Sequence, residues 1–146
     1  MLTIDEGRRA VALAREALTA YLDRKERIKP KDLPPSFGEK AGVFVTLHED
    51  GELRGCIGYP EPVMELERAI VDSAINAGAN DPRFPRVRPE ELPRIEIEVT
   101  VLTPPRPYDV RNLDLPAAVK IGEHGLIVRR GMWSGLLLPQ VATEWG

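Results

Sequence analysis

Of the 146 residues, one is cysteine, two are histidine, one is glutamine and three are asparagine. A single cysteine, Cys56, excludes an internal disulfide and every zinc site that needs two or more thiolates. The histidines, His48 and His124, lie far apart in the chain and outside any HExxH pattern, so no metal site is expected. GxxxxGK[ST] and GxGxxG are both missing, which removes the standard phosphate cradles, and no cofactor is expected. No apolar run approaches the ~18 residues that span a bilayer. The opening stretch MLTIDEGRRA lacks the apolar core of a secretory signal. The default expectation is a cytoplasmic protein that stays off membranes. Net charge is −3, so no global field draws the chain to nucleic acid or anionic lipid.

Proline, by contrast, is plentiful. Fourteen prolines beside four side-chain amides suit the rigid loops and low amide content of a thermophile. The hydrophobic share of 42% and the charged share of 29% are those of one ordinary domain, with room for a smaller lobe.

Periodicity sets out the elements. Residues 3–24 predict a helix, opened by a capping box of Thr3 and Glu6, with Val11, Ala14, Leu18 and Tyr21/Leu22 on its apolar face. Prolines make 28–40 a loop anchored by Phe37. Residues 42–59 predict a β-hairpin about Asp50-Gly51, the pair favoured in a two-residue type I′ turn. That turn sets Val45 opposite Cys56, Leu47 opposite Arg54, Val43 opposite Gly58 and Phe44 opposite Ile57. Both faces of the hairpin are apolar, as in the interior of a covered sheet.

A second helix is predicted within 59–81, with Pro62 in its first turn, Val63, Leu66, Ile70, Ala74 and Ala77 on one face, and Gly78 as its stop. Residues 81–94 read as irregular with one helical turn at 89–92, and 95–103 alternate as a half-exposed strand. One or two strands lie around Gly122 to Gly125, GMWSG forms a turn, and LLLP returns as a strand. Local hairpins with intervening helices give an α+β fold, its sheet mixed or mainly antiparallel with helices packed on it.

Several residues invite a chemical reading. Cys56 is either a nucleophilic or redox thiol, its pKa lowered by Arg54 at i−2 and by the start of the next helix, or a small buried hydrophobe. Gly55 and Gly58 mark the close approach of a ligand or of another backbone, or a bulge. Asp81 fits an Asx-type turn, and Arg83 is suited to grip a carboxylate or phosphate. With Arg86, Arg88 and Arg94 it forms the most basic stretch, which equally fits a solvated loop of scattered ion pairs. Glu96 and Glu98 share a strand face, as an acid–base pair or as an exposed sheet surface. Met132 and Trp133 sit in a turn, either as a contact surface or folded back into a core.

The segments LRGCIG (53–58), DPRF (81–84), IEVTVLTPP (97–105), IGEHGLIV (121–128) and GLLLPQVATEWG (135–146) occur together and in order. The chain thereby resembles the AMMECR domain family over nearly its whole length, and LRGCIG is that family's signature. The resemblance implies an archaeal-type member with an α+β domain in two lobes, a cleft between them and LRGCIG at or near that cleft. It carries the family's motif onto Leu53 to Gly58, Asp81 to Phe84, Gly122, His124, Gly125 and Glu144. Tyr59-Pro60 departs from the Thr or Ser with an aromatic that commonly follows the signature. Relatives are also expected to continue past Gly146 with a helical segment that carries a second cysteine. No activity is firmly assigned to the family.

The leading expectation is a cleft that binds a small anionic molecule or a peptide. Arg54, Asp81 and Arg83 would serve the ligand, Gly55 and Gly58 would open backbone N–H groups to it, and Cys56 would lie alongside. If there is catalysis, Cys56 is the nucleophile and His124 its base. One alternative is a non-catalytic interaction module that docks a partner such as a Memo-type domain through Met132 and Trp133. A weaker one is nucleic-acid binding through the arginines of 83–94.

Overall fold

The computed structural model describes residues 2–104, together with the backbone of 126–130 and 133–137. Helix α1 (Ile4–Arg24) begins at the expected box: Thr3 accepts from the Glu6 N–H, and Glu6 accepts from the Thr3 N–H. It ends at Lys25 in the left-handed conformation. The buried stripe is Ala10, Leu13, Ala14, Ala17, Leu18 and Leu22. Val11 stands at its margin, half-buried. Phe37, in a 3-10 turn at Pro35–Gly38, is fully buried and anchors the loop as expected.

Strands β1 (Gly42–Glu49), β2 (Glu52–Tyr59) and β3 (Ile95–Leu102) form an antiparallel sheet in the order β2-β1-β3. β1 is therefore interior, as its continuous apolar run requires, while β2 is an edge strand rather than an inner one. Asp50 and Gly51 both have positive φ, at 51° and 82°, as a type I′ turn demands. The expected pairing holds only for the first two pairs, Glu49–Glu52 and His48–Leu53. A bulge then leaves Arg54 unpaired, so that Leu47 meets Gly55, Thr46 meets Cys56, Val45 meets Ile57 and Phe44 meets Gly58. A one-residue slip moves every later side chain to the other face. Cys56 accordingly leaves the Val45 face for the Thr46 face.

Helix α2 (Leu66–Ala79) starts later than expected, after Pro62, and Val63 is exposed. Gly78 does not stop it; Asn80 is the C-cap, and Gly78 instead lets α1 close in. A Cβ on Gly78 would stand 2.4 Å from Leu18 Cδ1. The helices cover one side of the sheet, where Val43, Val45 and Leu47 of β1, Ile57 and Tyr59 of β2, and Ile97, Val99 and Val101 of β3 meet the core. Phe44, Thr46, Cys56, Gly58, Glu98 and Thr100 belong to the opposite side.

The polypeptide divides into two compact units, 1–104 and 105–146. In the second, β4 (Leu126–Arg130) pairs antiparallel with β5 (Trp133–Leu137). Trp133 opens β5 opposite Arg130, so the expected turn over GMWSG is shorter than that stretch. Gly122, His124, Gly125, Met132 and Glu144 lie outside the described residues. Among the described residues, no helix is long and apolar enough to cross a membrane.

Candidate functional site

The bulge decides what LRGCIG can do. Arg54, expelled from the ladder, turns away from Cys56. Its Nε lies 3.1 Å from Glu91 Oε1 and 3.5 Å from Glu49 Oε2, its Nη2 donates to Glu91 Oε2 at 3.2 Å, and its Nη1 donates to the Pro85 carbonyl at 2.7 Å. Glu49 also pairs with Arg94 at 2.8 Å, and Glu91 accepts from the Arg88 N–H. Burial works against ionisation of Glu91. Bonds from Arg88 and Arg54 outweigh it and hold this carboxyl below its ordinary range. Arg54 is thus committed to a network inside the protein and does not reach toward an anion beside Cys56.

The two glycines have backbone neighbours. A Cβ on Gly55 would stand 2.1 Å from the Ala77 carbonyl oxygen, and one on Gly58 would stand 2.1 Å from the Val43 carbonyl oxygen. What approaches Gly55 is the main chain of α2, and what approaches Gly58 is β1.

Asp81 and Arg83 do meet the signature. Asp81 is 4% exposed. Its Oδ2 accepts from the Cys56 N–H at 3.0 Å and from Arg83 Nη2 at 2.8 Å, and its Oδ1 accepts from Arg83 Nε and N–H. Arg83 Nη2 also donates to the Cys56 carbonyl at 3.3 Å. The pair therefore offers the outer edge of β2 one acceptor and one donor, as a neighbouring strand would, and blunts that edge at Cys56. The Arg83 hydrogen bond outweighs burial and brings the Asp81 pKa down to about 2.

Cys56 is half-buried, its sulfur 3.2 Å from Thr46 Oγ1. Burial pushes its pKa up, overcoming the opposing pull of Thr46 and Arg83, while Asp81 and Glu98 add to the rise. The sequence reading of a lowered pKa is reversed, because Arg54 points elsewhere and α2 begins ten residues on, at Leu66. At neutral pH, native Cys56 is expected to react with iodoacetamide several-fold more slowly than a free cysteine, with its apparent pKa above the ordinary thiol value. A native rate matching or exceeding that of the unfolded chain would overturn this.

Three of the arginines of 83–94 have separate partners within the protein. Arg83 pairs with Asp81 and Arg94 with Glu49, while Arg86 lies over the Tyr21 ring at 5.4 Å. Among the described residues there is no group of three or more potential metal ligands. Thr46, Glu49 and Glu91 escaped the sequence reading. Only knowledge of the bulge could have exposed the first, and nothing in the spacing ties Glu49 to Glu91.

A family model described as AMMECR1 matches residues 11–146. The chain belongs to the AMMECR1 family. It is 54% identical to a protein of Methanothermobacter thermautotrophicus over 99% of this chain and 77% of that one. It is 48% identical to a protein of Pyrococcus furiosus over 96% of this chain and 70% of that one. An uncharacterised protein from Pyrococcus horikoshii, known from a crystal structure, has a TM-score of 0.94 at 45% identity, covering 99% of this chain and 74% of that one. In this AMMECR1 member, then, the LRGCIG and DPRF segments are joined by the Cys56–Asp81–Arg83 hydrogen bonds.

Proposed function

We propose that the corner formed by Cys56 and Arg83 binds one carboxylate of a small molecule or a peptide C-terminus, and that Cys56 touches this ligand as a neutral thiol. The observation that carries the reading is the state of Arg83. Asp81 fixes the guanidinium through Nε and Nη2, yet the Arg83 side chain remains 56% exposed and its Nη1 makes no hydrogen bond among the described residues. A fixed donor that faces solvent loses little entropy when it binds. Because Asp81 already neutralises Arg83, the corner supplies one directed hydrogen bond instead of a strong field. That suits a single carboxylate better than a polyanion.

The test is an NMR titration of the full chain with acetyl-glycyl-glycine. Saturable shifts are expected at the Cys56 amide and at Arg83 Nε. They should weaken about tenfold in Arg83→Lys, because lysine cannot keep the forked contact with Asp81. Absence of shifts at these two residues would overturn the proposal and leave the non-catalytic interaction module as the better account.

A further inference from the structure

A groove of about 740 Å³ runs between α1 and the segment that turns back beside it at 28–31. It is broad and largely open to solvent. Arg9, Arg15, Arg24, Lys29 and Lys31 line it against one carboxylate, Glu16. In a chain of net charge −3, this is a local reversal of sign. Arg9 pairs with Glu16 at 3.3 Å, and Arg24 with Glu26 at 3.0 Å. Arg15, Lys29 and Lys31 have no carboxylate partner among the described residues.

Arg15 is held in another way. Its Nη1 donates to the Leu92 carbonyl at 3.2 Å and its Nη2 to the Ile95 carbonyl, which orients the guanidinium without cancelling its charge. Ala12, Thr19 and Ala20 supply small side chains between the cations, and among the described residues no aromatic ring lines the groove. From Arg9 to Arg24 the cations extend over about four helical turns, more than one phosphate group can engage.

We propose that this groove binds an oligophosphate, a short chain of linked phosphate groups, either free or carried by a nucleotide. The repeated cations match repeated phosphates. Among the described residues that line it there is no stacking platform for the successive bases of a nucleic acid strand. The inference is independent of the Cys56–Arg83 corner.

Calorimetric titration of the full chain with tripolyphosphate, ATP and sulfate at matched ionic strength tests it. Tripolyphosphate is expected to bind well above sulfate. Comparable ATP binding would mark a nucleotide as the source, and weaker ATP binding a free oligophosphate. The double variant Lys29→Gln/Lys31→Gln changes two exposed side chains with no bond among the described residues, and should bind about tenfold more weakly. Arg68→Gln, which removes an exposed cation of α2 outside the groove, should bind as the parent does. Equal binding of sulfate, unchanged affinity in the lysine variant, or binding of single-stranded RNA without tripolyphosphate would each overturn the proposal.

Discussion

Replacing Gly55 with alanine should destabilise the protein by about 3 kcal/mol, the upper end of what overpacking usually costs. The added methyl would lie 2.1 Å from the Ala77 carbonyl oxygen, a distance no real Cβ contact shows. The atom it meets is backbone in the last turns of α2, so it cannot swing aside as a side-chain tip can. Relief requires α2 to lift from β2, separating the helix from Val45, Leu47 and Ile57 beneath it. Gly7→Ala is the matched control. Nothing lies within 4 Å of a Cβ there and the site is helical, so alanine should add about 0.5–1 kcal/mol. Urea unfolding followed by circular dichroism separates the two. A Gly55→Ala protein within 0.5 kcal/mol of the parent, about the spread of ordinary surface substitutions, would mean that α2 does not press on β2 in this way.

This result bears on how LRGCIG reads in the sequence. Glycine in a strand signals that something comes close, and at Gly55 and Gly58 that much was legible. The identity of the visitor was not, because the main chain of α2 is brought there by tertiary packing. The same limit applies to Cys56. The Asp50-Gly51 turn was legible, since only residues tolerant of positive φ suit it, and it fixed the first two pairs of the hairpin. The bulge at Arg54 leaves no mark in the pattern of apolar residues, because both faces of β1 are apolar and either register buries them. One extra residue therefore reversed the surroundings of the thiol and sent Arg54 into the Glu49–Glu91 network. The helices were easier. α1 has both its box and its stripe, whereas the start of α2 was read too early because Pro62 imitates a first-turn proline.

Asp81→Asn carries the second large expected effect, a loss of about 2 kcal/mol at neutral pH, the size that the depressed carboxylate pKa implies. The carboxylate is nearly inaccessible, its side chain 2% exposed, and it accepts from Arg83 and from the Cys56 N–H at once. An amide offers one acceptor in place of two and turns an N–H toward the guanidinium. The partner charge, half in water, limits the cost from rising further.

The pH dependence distinguishes this charge effect from simple disruption. Asp81 titrates at about 2 in the fold against an ordinary 3.8, so its ionised form stabilises the folded chain by about 2 kcal/mol. Because the folded value is the lower one, that contribution is complete well above pH 3.8 and drains away as pH falls toward about 2. Parent and Asp81→Asn should therefore differ most at neutral pH and converge in acid, with the variant showing the flatter acid limb. Arg83→Ala removes the largest cause of the depression and should flatten the same limb, although its backbone N–H can still reach Asp81. A gap between parent and Asp81→Asn that stays constant from neutral pH into acid would show that the carboxylate acts through shape alone. The Asp81–Arg83 charge pair would then not be what holds DPRF against the edge of β2.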